Sequence, residues 1–195
     1  QPLHRAEEIE MTKQQLQEHA AANDIAVITI GRKSGEAADR TQDEFNLYAK
    51  ERKMISQISE VYHKDGKKVV VLLNICSPVE TASWKHLVDG ILCTWQSGEQ
   101  VGNSIADVIS GTITPSGRLP VTFQIAYGDA PSDKNFPSDV KEVKDLATMY
   151  MWGNDKKDAK REVKANIDYT DYDEDIYVGY RYFDSFGKEV SFPFG

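Results

Sequence analysis

"IAVITI", residues 25–30, decides how the rest of the chain is read. Six apolar or β-branched residues in a row, entered from Asn23-Asp24 and left at Gly31, are too few for a helix. They suit a strand buried on both faces of a parallel sheet. The same texture returns in "VVVLLN" (69–74) and "GILCTW" (90–95). Between the first two runs lies a helical pattern. Thr41 and Glu44 have capping-box spacing, with Asp43 an equal candidate for the cap. Leu47, Met54, Ile55, Ile58, Val61 and Tyr62 then share one side, and Asp65-Gly66 ends the helix. Upstream, residues 4–22 fit a polar-faced helix with Ile9, Leu16 and Ala20 inward.

Downstream, Pro78 breaks the chain and a short helix is expected over 80–87. Val101, Ile105, Val108 and Ile109 fit one helical face after the third strand. "LPVTF" (119–123) follows the turn "TPSGR" as a further strand. Strand and helix in alternation predict an α/β fold: a doubly wound, mostly parallel sheet flanked by helices in a three-layer α/β/α sandwich. Residues 1–195 are expected to form one such domain, with an irregular excursion at about 124–168 and a helical turn near 139–150. An aromatic tail, 169–195, is expected to pack back on the domain.

Acidic residues outnumber basic ones 31 to 23, for a net charge of -8. Phosphate-backbone binding needs clustered Lys and Arg, so nucleic acid is not an expected partner. No apolar run approaches the ~20 residues of a membrane span, and no membrane partner is expected. Cys76 and Cys93 each lie in or beside an apolar run and read as buried, inert thiols. The four histidines have no ligand spacing with each other or with the cysteines, so no metal and no cofactor are expected. Glycine-rich phosphate loops are missing after every strand run, as is a G-x-S-x-G elbow.

Ligands of open α/β sheets sit beyond the carboxyl ends of the strands. Of the loops at 31–42, 75–80 and 96–101, the first concentrates suggestive residues. Gly31, Ser34, Gly35, Ala37 and Ala38 are small enough for close backbone approach, with Glu36 among them and Asp39-Arg40 closing the segment. Taken alone, this is by default a solvent-exposed loop with an Asp39–Arg40 pair; a carboxyl-based site is the alternative. Glycosidic carboxyl chemistry works in pairs, and no second loop carboxylate of matching quality is present.

The order of motifs carries more than any one of them. "ITIGRKSGEAADR", "VVVLLN", "GILCTWQSGEQVGNSIADVISGTITPSGRLPVTF", "YVGYRYFD" and "FPFG" together resemble glycoside hydrolase family 3, specifically the α/β sandwich domain of its β-glucosidase-type enzymes. The resemblance runs from about 20 to 123 and again from about 169 to 195. It implies a preceding (β/α)8 barrel carrying an aspartate nucleophile and most sugar contacts, with a fibronectin-type domain following. It also implies that Glu36 is the general acid/base of a retaining exo-β-glycosidase, with Ser34, Gly35, Asp39 and Arg40 shaping its loop. This stretch alone is then expected to be inactive. Two positions depart from the family pattern: Ala37 and Asp175 stand where glycine is common.

The implied partners are a β-linked oligosaccharide or glycoside, foremost a terminal β-D-glucoside, and the barrel of the same chain. The alternatives are a non-catalytic carbohydrate-binding or interaction domain, or the same role in a β-xylosidase or arabinofuranosidase. Tyr150 and Trp152 read as packing residues, with an aglycone site as the alternative. A periplasmic or secreted location is expected from the resemblance.

Overall fold

The computed structural model describes residues 9–32, 41–135 and 172–195. The chain divides into two compact units. The first comprises Gln1–Arg32, Leu47–Ser77 and Thr81–Ser116; the second comprises Lys33–Asn46, Pro78–Glu80 and Gly117–Gly195.

The first unit holds a three-stranded, wholly parallel sheet in the order β1 (Ile25–Gly31), β2 (Lys68–Asn74), β3 (Gly90–Cys93). Ile28 pairs with Val71 and Val71 with Ile91, so these three share a face. Helix α3 (Ala49–Lys64) makes the crossover from β1 to β2 and packs against both strands. Its Ile55, Ile58 and Tyr62 are buried at helical spacing, each contributing about 1.5–3 kcal/mol of apolar burial. Opposite them Ile28, Ile30, Val69, Val71 and Leu73 are buried in the strands. Gly66 ends α3 at φ 69°: its N–H donates to the His63 carbonyl and the Lys67 N–H to the Tyr62 carbonyl, both at 3.0 Å. That is the left-handed closure a glycine makes without strain.

Helix α1 (Lys13–Ala22) packs on α3 through buried Leu16 and Ala20. It starts later than the expected 4–22, with residues 9–12 non-helical. Thr12 caps it: its Oγ1 accepts from the Gln15 N–H at 3.2 Å, and Gln15 Oε1 accepts from the Thr12 N–H at 2.9 Å. The expected burial of β1 on both faces is corrected too. Ile28 and Ile30 are buried, but Ile25 and Val27 are nearly half exposed. β1 is the end strand of the sheet, and α3 covers one side of it. Helix α4 (Val101–Ile109) carries the expected face, yet Val101, Ile105 and Val108 are only half-buried and Ile109 is exposed. The helix expected over 80–87 is reduced to a 3-10 turn at Lys85–Leu87.

The second unit contains helix α2 (Gln42–Phe45), helix α5 (Tyr180–Ser185) and 3-10 turns at Tyr127–Asp129 and Pro131–Asn135. The single helix expected after Thr41 is therefore two, because Asn46 and Tyr48 are both extended, at ψ 160° and 152°. "LPVTF" does not join the parallel sheet. Phe123 instead forms an isolated antiparallel bridge with Phe192, its N–H donating to the Phe192 carbonyl at 2.9 Å. The reason lies in the aromatic tail, which folds back as expected. Arg118 Nη1 donates to the Gly195 carbonyl, and the Gly195 N–H to the Leu119 carbonyl, both at 2.9 Å. The Phe123 and Phe192 rings meet edge to face at 6.1 Å. "GRLPVTF" and "FPFG", distant in sequence, thus make one cluster.

Candidate functional site at the end of the first strand

The ladder between β1 and β2 runs one residue beyond the strand, because the Arg32 N–H donates to the Asn74 carbonyl at 3.0 Å. The Arg32 side chain turns inward and is only 6% exposed. Its Nη1 and Nη2 donate to Glu51 Oε1 and Oε2, each at 2.7 Å, in a two-pronged pair. Planar fork matched to planar carboxylate is the strongest geometry such a pair offers. Nη1 also donates to the Gly31 carbonyl at 2.8 Å, and the guanidinium lies 4.6 Å from the centre of the Tyr48 ring.

Glu51 sits in the first turn of α3, where the amide dipoles favour a negative charge. Its Oε2 also accepts the Tyr48 N–H at 2.8 Å, a donor with no partner inside the helix. From the end of β3, Gln96 Nε2 donates to the Arg32 carbonyl at 3.2 Å. Thr94 gives both its N–H and its hydroxyl to the Leu73 carbonyl at 3.0 Å. The carboxyl ends of all three strands are therefore tied together around Arg32. Trp95, beside these bonds, adopts φ 52°, a conformation costly for a bulky residue.

Ser34, Gly35, Glu36, Asp39 and Arg40 lie outside the described residues, which stop at Arg32 and resume at Thr41. In the second unit Thr41 makes the anticipated capping box: the Glu44 N–H donates to its Oγ1 at 3.3 Å, and the Thr41 N–H to Glu44 Oε2 at 2.9 Å. The Arg32–Glu51 pair was not anticipated from sequence. One signal was available: Glu51 falls on the row Leu47, Glu51, Ile55, Ile58, Tyr62, a charge on an otherwise apolar helix face.

At the amino ends of β2 and β3 a second polar cluster forms. Lys68 Nζ donates to Asp89 Oδ1 at 2.8 Å, the Val69 N–H donates to Oδ2 at 2.9 Å, and His63 Nε2 lies 2.8 Å from Oδ2. These hydrogen bonds, that from Lys68 foremost, hold the Asp89 carboxyl well below the ordinary carboxylate range. Cys76 and Cys93 form no disulfide and are half-buried, not fully enclosed as expected. Burial pushes the Cys93 thiol up, against a smaller opposing effect of the Trp95 amide. Among the described residues no three His, Cys, Asp or Glu side chains gather as a metal site, and no helix is long and apolar enough to cross a membrane.

Known proteins share this framework. Glucose-bound β-glucosidase 3B from Thermotoga neapolitana superposes with a TM-score of 0.76 at 44% identity, over 94% of this chain and 23% of that one. Thermostable beta-glucosidase B of Acetivibrio thermocellus is 32% identical over 90% of this chain and 19% of its own length. An exo-alpha-(1->6)-L-arabinopyranosidase of Bifidobacterium breve is 29% identical over 91% of this chain. It is matched over 20% of its own length, so the chain spans about a fifth of these curated relatives. The sheet with its flanking helices is the α/β sandwich of such enzymes. The family described as "Glycosyl hydrolase family 3 C-terminal domain" matches residues 4–180, and this chain belongs to that family.

Proposed function

We propose that this chain is the second domain of a retaining exo-β-glycosidase and that Glu36 is its general acid/base. The observation that carries the reading is the position of Glu36 in the chain. It follows four residues after Arg32, just past the carboxyl end of a parallel strand, where α/β sheets hold their ligands. The family relationship supplies the reaction class. A retaining enzyme needs two carboxyl groups about 5 Å apart. In this proposal an aspartate on a preceding barrel attacks the anomeric carbon while Glu36 protonates the departing oxygen. The glycosyl–aspartate ester is then cleaved by water, which gives a proton to Glu36 as it attacks and so restores the acid, while the first proton has left with the departing alcohol.

Small residues at 34, 35, 37 and 38 would admit the loop to a cleft beside a sugar, and Asp39 and Arg40 would hold its shape. Terminal β-D-glucosides are the proposed substrates. The Bifidobacterium breve relative, named for an arabinopyranoside, favours a pentoside as the second reading. The chain alone, without the nucleophile, is proposed to be inactive, and the enzyme to work in the periplasm or outside the cell.

The test compares wild type and Glu36→Ala in the full-length gene product, on aryl β-glucosides with good and poor leaving groups, with and without azide. The expected variant fails on poor leaving groups, keeps more activity on activated ones, and yields a β-glycosyl azide. Equal activity of the two proteins on both substrates would overturn the assignment and bring forward the non-catalytic binding domain.

A further inference from the structure

We propose that the outer edge of β1 receives a further parallel strand, supplied by a part of the full-length protein that precedes these residues, whatever the role of Glu36.

Two hydrogen bonds fix which way the backbone of β1 points. The Lys68 N–H donates to the Asp24 carbonyl at 3.1 Å, and the Arg32 N–H to the Asn74 carbonyl at 3.0 Å. Asp24 and Arg32 therefore face β2. In a parallel ladder the N–H and C=O of one residue share a side, and those of the next residue point the other way. Ala26, Ile28 and Ile30 then face β2, while Ile25, Val27, Thr29 and Gly31 present their N–H and C=O groups to the outer edge. Among the described residues no strand takes these groups.

An open row of donors and acceptors invites pairing, and native edge strands are blunted by shortness, charge, proline or a bulge. β1 has none of these defences. It is seven residues, "IAVITIG", without a charge or a proline, in unbroken register with β2. The strand at the other end of the sheet, β3, has four. The side chains agree. Ile25 and Val27, on the face turned away from α3, are 45% and 46% exposed, whereas Ile28 and Ile30 on the other face are buried. Val70, the partner of Val27, is also only half-buried.

The hand of the fold indicates where the strand comes from. Crossovers between parallel strands are right-handed in about 98% of cases. Helix α3 makes the crossover from β1 to β2, and α1, which leads into β1, packs beside α3. With both helices in one layer, a right-handed path through α1 into β1 starts on the side of β1 away from β2. The chain therefore reaches α1 from beyond the open edge. The curated relatives are about five times as long as the stretch they match, which leaves sequence for such a strand.

The first experiment uses the wild-type full-length gene product and follows hydrogen exchange amide by amide. The outward amides of Val27 and Thr29 are expected to exchange within about tenfold of the inward amides of Ile28 and Ile30. Exchange more than about tenfold faster at Val27 and Thr29 would show an open edge and overturn the proposal. A diazirine-bearing aliphatic residue of similar size at position 27 then identifies the neighbour. Photolysis in a mixture of isotopically light and heavy protein is expected to join it to a segment preceding Gln1 in the same molecule. Insertion only within residues 1–195, only between light and heavy copies, or only into water would overturn the proposal. Neither readout involves hydrolysis. Failure here leaves the assignment of Glu36 standing, and a silent Glu36→Ala leaves the strand pairing standing.

Discussion

Asp89 and Lys68 meet at 2.8 Å where β2 begins, and the carboxylate they share with the Val69 amide and His63 is held ionised to unusually low pH. In the unfolded chain an aspartate titrates near 3.9. The folded state therefore binds fewer protons than the unfolded state through the acid range, and stability rises with pH there. The contribution is fully present above about pH 4–5 and is lost as pH falls toward the lowered folded value. Asp89→Asn removes it. The expected outcome is a urea midpoint that falls less steeply for the variant than for wild type between about pH 5 and 2.5. Parallel slopes would show that the cluster is too exposed to matter.

The Arg32–Glu51 pair makes a stability prediction of its own. Both side chains are almost fully enclosed, at 3% and 9% exposure. Glu51→Ala strands a buried guanidinium and is expected to cost about 3–5 kcal/mol. Replacing both partners by Met and Leu removes both desolvation costs and should cost far less. Urea denaturation of Arg32→Met, Glu51→Leu and the paired Arg32→Met/Glu51→Leu yields the coupling directly.

Asp175 has φ 51°, in the left-handed region. Its N–H donates to the Tyr172 carbonyl at 3.1 Å, so the strained conformation belongs to a closed turn. Aspartate tolerates this region better than most residues, but only glycine occupies it freely. Asp175→Gly is expected to be neutral or to stabilise by up to about 1 kcal/mol, and Asp175→Val to cost about 1–2 kcal/mol. Four residues on, Gly179 caps α5 at φ 58°, ψ -132°. A Cβ there would meet nothing within 4 Å, so any penalty is in the backbone. Gly179→Ala is expected to cost about 1–3 kcal/mol, read from thermal unfolding.

Ser59 is buried in α3 with no hydrogen-bond partner for its hydroxyl among the described residues. The apolar stripe of α3 surrounds it in sequence, with Ile55 and Ile58 before and Tyr62 after. Ser59→Ala removes a desolvated hydroxyl and installs the best helix former. A gain of about 1 kcal/mol is expected in urea. A loss would mean that the hydroxyl finds a partner, such as a water or the carbonyl one turn back.

How much of this was legible follows the physics of each segment. β1 and β2 announce themselves because continuous runs of five or six apolar or β-branched residues have few other uses, and α3 because its stripe is long. Thr41 and Glu44 gave a local rule that the molecule obeys. β3 was expected to reach Trp95 and stops at Cys93, since the turn there rests on a positive φ that no tryptophan advertises. "LPVTF" has strand-like residues, but its partner lies in the tail, a pairing across about 70 positions that no local pattern encodes. The loop carrying Glu36 stood out for its small residues around a carboxylate, but only the family resemblance gave that carboxylate a role. Arg32 and Glu51 were passed over because a charged pair cancels only in three dimensions.

That long-range pairing supports the last prediction. Phe123 is 1% exposed, while Phe192 is half-buried. Their backbones exchange hydrogen bonds as well, with the Ser191 N–H donating to the Phe123 carbonyl at 2.8 Å. Phe123→Ala empties a filled site and is expected to cost about 3–5 kcal/mol. Phe192→Ala should cost about half of that, since part of its ring already faces water. If the edge-to-face contact itself matters, the double variant will be less damaging than the sum by about 0.5–1.5 kcal/mol. Strict additivity would mean that the tail is held by its backbone bonds and by Arg118 at Gly195, with the two rings as independent neighbours.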